Sequence, residues 1–192
     1  MSMEALKERI VREGQGIGRG VLKVDSFLNH QIDVAFLDEI GRALAERFAG
    51  CSVTKILTVE SSGIPVACAV SRAMGYPPVV FAKKAAPNTM VEGVYSTDVK
   101  SFTKETVSTI RVSRKFLQPE DRILIIDDFL AYGESALGLT RLVRSAGADV
   151  TGIGVVIEKR FQGGSAKLKQ AGFQVESLAV IRSITDGNIE FQ

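Results

Sequence analysis

Cysteine and histidine are almost missing from this chain. Cys51, Cys68 and His30 are the only three among 192 residues. The two cysteines stand in no metal-binding or redox spacing, which excludes a zinc or dithiol motif, and both are expected to be buried or half-buried free thiols. The lone histidine is read as a hydrogen-bonded structural residue rather than a general base. No stretch approaches the roughly 18 apolar residues that a membrane-spanning helix needs. The opening "MSMEALKERIVREG" is charged and amphipathic, without the apolar core of a signal peptide, so a cytoplasmic protein with no membrane partner is expected. Charge of one sign is scarce as well. The formal net charge is +2 and no long run of Lys or Arg occurs, which argues against nucleic acid as a partner. Repeats and low-complexity tracts are absent. So is a glycine-rich turn after the first apolar strand, which a dinucleotide-binding oxidoreductase would show; "ESSG" stands there instead.

What is present is an alternation of helical and strand patterns. Leu6, Ile10 and Val11 give the first segment an apolar face at helical spacing, and after a Gly-rich break "VLKVDSFLNHQI" fits neither period. Asp33 is a plain N-cap for a second helix carrying Phe36, Leu37, Ile40, Leu44 and Phe48 inward. "KILTV" (55–59) is a buried strand, followed by a helix from about Ile64 to Met74 with Pro65 in its first turn. "PPVVFAKK", "RILIID" (122–127), "VTGIGVVIEK" (150–159) and "SLAVIRSI" are further strands, with a helix from about Glu134 to Ala146 between two of them. Short, continuously apolar strands separated by helices predict an α/β fold with a mostly parallel sheet covered on both faces. Between residues 85 and 116 the pattern turns polar and "TVSTIRVS" alternates at period two, which predicts a β-hairpin flap. One domain over residues 1–192 is expected.

Ligands of open parallel sheets bind beyond the carboxyl ends of the strands. Three loops lie there: "ESSG" after 55–59, "DDFLAYGES" after 122–127 and "EKRF" after 150–159. In the middle one, Ala131 to Ser135 leads into a helix, so backbone N–H groups can cradle a phosphate, with Gly133 allowing close approach and the Ser135 hydroxyl available to donate. A phosphate needs donors, so Asp127 and Asp128 must serve something else. Paired sugar hydroxyls suit them, and their charge favours a cation developing on the sugar.

"LIIDDFLAYGES" resembles the phosphoribosyl-diphosphate (PRPP) signature of the type I phosphoribosyltransferases. The similarity extends through "MEALKERI", "VLKVDSFLNHQID", "TKILTVESSGI", "PVVFAKK", "SFTKET" and "GIGVVIEKRFQ" to "VESLAVIRS", and it is greatest with the xanthine-using branch of bacterial purine salvage. That resemblance implies the type I fold: a mostly parallel central sheet flanked by helices, a hood near residues 1–32 and the C-terminus, and a flexible flap at about 85–116. It implies transfer of the phosphoribosyl group from PRPP to xanthine, with Mg2+ carried by PRPP and no firm protein ligand, and a homodimer. Asp127 and Asp128 are then the catalytic acids on the ribose hydroxyls, and Ala131, Tyr132, Gly133, Glu134 and Ser135 hold the 5′-phosphate. Ser61, Ser62 and Gly63 form the pyrophosphate loop, with a non-proline cis peptide, and Lys84 or its neighbour Lys83 approaches the pyrophosphate. Leu22, Asn29, Lys159 and Phe161 contact the base: Lys159 by donating to an exocyclic oxygen and Phe161 by stacking.

Two departures stand out. Relatives carry Thr or Asn where Tyr132 stands and a neutral residue where Glu134 stands, and a carboxylate beside a phosphate cradle is repulsive unless it turns away. Some purine relatives also have an aspartate at the position of Ala131, so no base for the purine is evident. A regulator that binds PRPP without catalysis, and a salvage enzyme for guanine or hypoxanthine, remain open alternatives.

Overall fold

A computed structural model of the chain describes residues 3–18, 20–84, 93–101 and 106–192. Helix α1 (Met3–Glu13) is followed by a small antiparallel pair, β1 (Gln15–Ile17) and β2 (Val21–Lys23), and by one wide helical turn over Asp25–Asn29. These segments occupy the stretch where a hood was expected. Leu6 and Ile10 are fully buried, whereas Val11, expected on the same face, is 62% exposed: it lies one position beyond the i, i+4 pair that meets the core. Arg9 ties the hood to the body. Its Nη1 donates to Asp33 Oδ2 at 2.7 Å and its guanidinium lies over Phe27 and Phe36, 4.9 and 4.6 Å from the ring centroids. Asp33 also caps helix α2 (Val34–Arg47) as predicted, accepting from the Phe36 N–H at 3.1 Å, an arrangement worth about 1 kcal/mol.

Strand β3 (Lys55–Val59) leads through the 60–62 turn into α3 (Gly63–Ala73) and β4 (Val79–Ala82). The predicted hairpin follows as β5 (Val94–Ser101) and β6 (Thr106–Ser113), paired antiparallel from Val94↔Ser113 to Ser101↔Thr106. The flap's remaining parts, 85–92 and 102–105, lie outside the described residues. Next come β7 (Arg122–Leu130), α4 (Glu134–Ser145), β8 (Asp149–Lys159), the short α5 (Gly164–Gln170), β9 (Val175–Thr185) and β10 (Asn188–Phe191). The pair β1 and β2, helix α5 and strand β10 had no sequence expectation. The cysteine expectation is half met: Cys51 is partly buried and free, but the free Cys68 is exposed on α3.

The main sheet runs β10-β9-β8-β7-β3-β4, parallel except for the antiparallel β10 edge. Its interior strands are apolar on both faces because both are covered. Leu124 and Ile126 of β7 join a core with α1, α2 and α3, and Ile123 and Ile125 join a second core with α4, α5 and the hairpin. The order places β3 beside β7, with β4 outward on one side and β8 and β9 on the other. After β3 and after β7 the chain therefore leaves in opposite directions. That switch point opens a crevice at the carboxyl ends of the two strands.

Helix α2 approaches α3 through Gly41, where an added Cβ would lie 2.5 Å from the carbonyl carbon of Ala69. Gly41→Ala is expected to destabilise the fold by roughly 1–3 kcal/mol through overpacking. The check is a lower urea midpoint at unchanged m-value; an unmoved midpoint would mean that the helices part freely.

Candidate functional site

The crevice begins with the acids. Strand β7 continues to Leu130, past the expected end at residue 127, so Asp127 and Asp128 are strand residues and not loop residues, 9% and 5% exposed. The Asp128 N–H donates to Asp127 Oδ1 at 3.0 Å. Burial, and then the charge of Asp128, push the Asp127 carboxyl well above its ordinary value, opposed in part by the positive charge of Lys84.

Around the acids the two switch-point loops interlock. The Glu60–Ser61 peptide is cis, as the resemblance implied. Gly63, first residue of α3, is so close to β3 and β7 that a Cβ there would collide with Thr58 Oγ1 and lie 2.9 Å from Asp127 Oδ1. Ser62 makes no side-chain cap at the start of α3. Glu60 Oε1 accepts from the Lys84 N–H at 2.6 Å, tying this loop to the end of β4. Of the two candidate lysines, Lys84 lines the cleft, while the Lys83 backbone pairs with Arg111 of the hairpin.

A cleft of about 380 Å³ gathers Asp127, Phe129, Lys84 and the whole 131–135 turn, roofed by hairpin residues including Val99, Thr106, Ser108 and Ile110. The hairpin is docked on α4: Arg141 donates from Nε to Thr97 Oγ1 at 2.9 Å and from Nη2 to the Asp98 carbonyl at 2.7 Å. In the turn, Gly133 has φ +82° and opens α4 without a side-chain cap. Glu134 lines the cleft, and its Oε1 accepts from Lys167 Nζ of α5 at 2.7 Å. The Gly164 N–H donates to the Ala131 carbonyl at 3.0 Å, and a Cβ on Gly164 would lie 2.7 Å from the Gly133 nitrogen. Two backbones thus meet where only glycines fit.

The predicted base contacts lie outside the residues lining that cleft, on the hood side of the acids. Asn29 Nδ2 donates to Asp128 Oδ2 at 3.4 Å, and its buried Oδ1 has no hydrogen-bond partner among the described residues. Lys159 Nζ donates to the Gly20 carbonyl at 2.9 Å and lies over the Phe129 ring. Burial lowers the Lys159 pKa, with the charge of Asp128 opposing. Phe161, 44% exposed, flanks Gly20, where a Cβ would lie 3.3 Å from the ring. Leu22 is buried in the core shared with α1, α2, α3 and the sheet. His30 is exposed, and no side-chain hydrogen bond is found for it among the described residues; its backbone N–H donates to the Asp25 carbonyl. The expectation of a hydrogen-bonded structural histidine therefore fails.

Four residues escaped the sequence reading. Thr58 is fully buried, its hydroxyl without a hydrogen-bond partner among the described residues. Glu60 and Gly164 hold the two turns. Glu158 is buried and accepts from Ser165 and Arg160 on one oxygen and from Ser177 at 2.6 Å on the other. Burial pulls its pKa upward, but those hydrogen bonds win and hold it below the ordinary value. A polar residue inside an apolar strand, as in "KILTV" and "VVIEK", was the available signal for Thr58 and Glu158.

Comparison with known proteins places this geometry. The phosphoribosyl transferase domain profile matches residues 25–178. A protein of Clostridioides difficile (strain 630) named xanthine phosphoribosyltransferase is 52% identical over 190 residues, covering 99% of this chain and 100% of the relative. One of Moorella thermoacetica bearing the same name is 53% identical over 189 residues, covering 98% and 96%. Among solved structures, APRTase from Giardia lamblia complexed with 9-deazaadenine shares the fold with TM-score 0.76 at 22% identity, over 94% of this chain and 97% of that one.

The raised Asp127 pKa has a measurable sign. A carboxyl whose folded pKa exceeds its unfolded value of 3.8 weakens the fold as pH rises through that interval, because ionisation then opposes folding. Asp127→Asn keeps an oxygen to accept from the Asp128 N–H and cannot ionise. The unliganded variant is expected to melt higher than the wild type at pH 7.5, with the advantage shrinking towards pH 4, in thermal unfolding followed across that range. A variant melting no higher at pH 7.5 would contradict this.

Proposed function

This chain belongs to the phosphoribosyltransferase family, and on that premise we propose that it transfers the 5-phosphoribosyl group of PRPP to xanthine, giving xanthosine 5′-monophosphate and pyrophosphate in purine salvage. The observation that carries the proposal is the meeting at Asp128. There a hood residue, Asn29, hydrogen-bonds the acid, and the ammonium of Lys159 feels its charge, so base side and ribose side form one site. The names of the relatives, over nearly their full length, supply the choice of xanthine.

In this scheme residues 1–192 act as one catalytic domain, with hood elements near 1–32 and at the C-terminus and a flap over about 85–116 that closes to keep water from the reacting sugar. Backbone N–H groups from Ala131 to Ser135 and the Ser135 hydroxyl bind the 5′-phosphate, with Tyr132 and Glu134 at its border. Ser61, Ser62 and Gly63 present N–H groups to the diphosphate, joined by Lys84. Asp127 and Asp128 accept from the ribose hydroxyls and favour the cation that develops as the C1′–O bond to diphosphate breaks. A buried carboxyl reluctant to ionise alone suits a partner that arrives with hydroxyl donors and positive charge.

No group of three or more His, Cys, Asp or Glu able to hold a metal ion occurs among the described residues. Two adjacent carboxylates, Asp127 and Asp128, beside a diphosphate loop would fit Mg2+ brought in on PRPP, with no firm protein ligand of its own. When bound, Mg2+ neutralises charge on the leaving diphosphate.

On the base side, Lys159 donates to an exocyclic purine oxygen, which the amino group of adenine could not accept in its place. The unpartnered Asn29 Oδ1 accepts from a ring N–H, while Phe161 stacks and Leu22 shapes the floor. Xanthine binds partly ionised, which lessens the need for a base where Ala131 stands. The working unit is a cytoplasmic homodimer.

The test is turnover with Mg2+ and PRPP over xanthine, guanine, hypoxanthine and adenine. Xanthine is expected to be used fastest, and Asp128→Asn to lose at least about a hundredfold in kcat/KM. PRPP binding with no turnover of any base would instead make the chain a PRPP-sensing regulator.

A further inference from the structure

The 131–135 turn contains an apparent conflict. Glu134 occupies the first turn of α4 and lines the cleft with Gly133 and Ser135, so a negatively charged residue borders the surface that must receive a phosphate. A carboxylate in a first helical turn favours the helix itself, yet it repels a second anion at the same terminus. In this chain the carboxylate is not left alone. Lys167 reaches it from α5 and donates to Glu134 Oε1 at 2.7 Å, with the Lys167 side chain 46% and the Glu134 side chain 23% exposed.

The pairing follows from how α5 is seated. Gly164 lies against Gly133, and its N–H donates to the Ala131 carbonyl at 3.0 Å, so the first residue of α5 packs directly on the phosphate turn. Buried Glu158, at the end of β8, fixes the same end of α5 by accepting from Ser165. Lys167 stands one helical turn beyond Gly164 and so faces the turn that α5 supports. An isolated exposed ion pair stabilises a fold by little. Its effect on an anion bound beside it is larger, because the anion meets a neutralised pair and not a bare carboxylate.

We propose that Lys167 is a positioning residue for PRPP: it holds and neutralises Glu134 so that the 131–135 turn accepts the 5′-phosphate. The inference rests on the phosphate-binding role given to this turn above. It assigns Lys167 no contact with substrate; the effect passes through Glu134.

The experiment is a double-mutant cycle read by calorimetric titration with Mg2+–PRPP and by steady-state kinetics with xanthine. Lys167→Ala is expected to raise Kd and KM for PRPP about three- to tenfold, with kcat changed less than twofold. Adding Glu134→Gln to Lys167→Ala is expected to restore PRPP affinity, and Lys167→Arg to retain it. A lysine serving only to brace α5 would give a double variant as weak as Lys167→Ala, and that result overturns the proposal. So does a Lys167→Ala protein with wild-type PRPP affinity, and so does a wild type that binds no PRPP. Thermal unfolding of each variant separates weak binding from loss of fold. If PRPP affinities follow the cycle while no base is turned over, the proposed reaction fails and this inference stands.

Discussion

Two adjacent carboxylates buried at the end of β7 are the constraint to which the neighbouring structure answers. Ionised acids inside a sheet covered on both faces are unfavourable. Here that penalty is offset only in part, by a backbone N–H on Asp127, the amide of Asn29 on Asp128, and the charges of Lys84 and Lys159 within electrostatic reach, and the Asp127 carboxyl stays well above its ordinary pKa. Each of these groups comes from a different segment, so burying the acids also draws the hood, the end of β4 and the end of β8 to one point.

The sheet order explains why that point is open to a ligand. β3 and β7 are neighbours whose chains leave in opposite directions, and the crevice between them is bounded by one loop from each. Close approach there is possible only through small residues. Gly63 leaves no room for a Cβ beside Thr58, and Gly133 meets Gly164 backbone to backbone. The two turns suited to oxyanions are thus packed surfaces. Glu60 and Glu158, each already engaged in hydrogen bonds, brace them from behind. These carboxylates act as supports because each is held by protein donors.

Much of this was legible in the chain itself. The continuous apolar runs identified the interior strands, because residues buried on both sides of a sheet need no alternation, and period-two "TVSTIRVS" identified the hairpin. Asp33 was legible as a cap because its short acceptor precedes an apolar-periodic run. Where the reading failed, the exact edge of the buried surface decided the outcome. Val11 falls one position outside the buried stripe of Leu6 and Ile10, and His30 is exposed beside the half-buried Asn29. Thr58 and Glu158 sat inside strand patterns whose apolar character concealed them.

By itself, the order of residues determined the class of fold, the adjacent acids ahead of a glycine turn, and the family that this combination resembles, since each rests on local spacing and on the chemistry of single side chains. Only the tertiary structure decided which lysine faces the cleft, that Asn29 reaches Asp128 across 99 positions, and that Glu134 is answered by Lys167 across 33. These are contacts between separate loops. Their existence depends on strand order and helix seating, which no local pattern encodes.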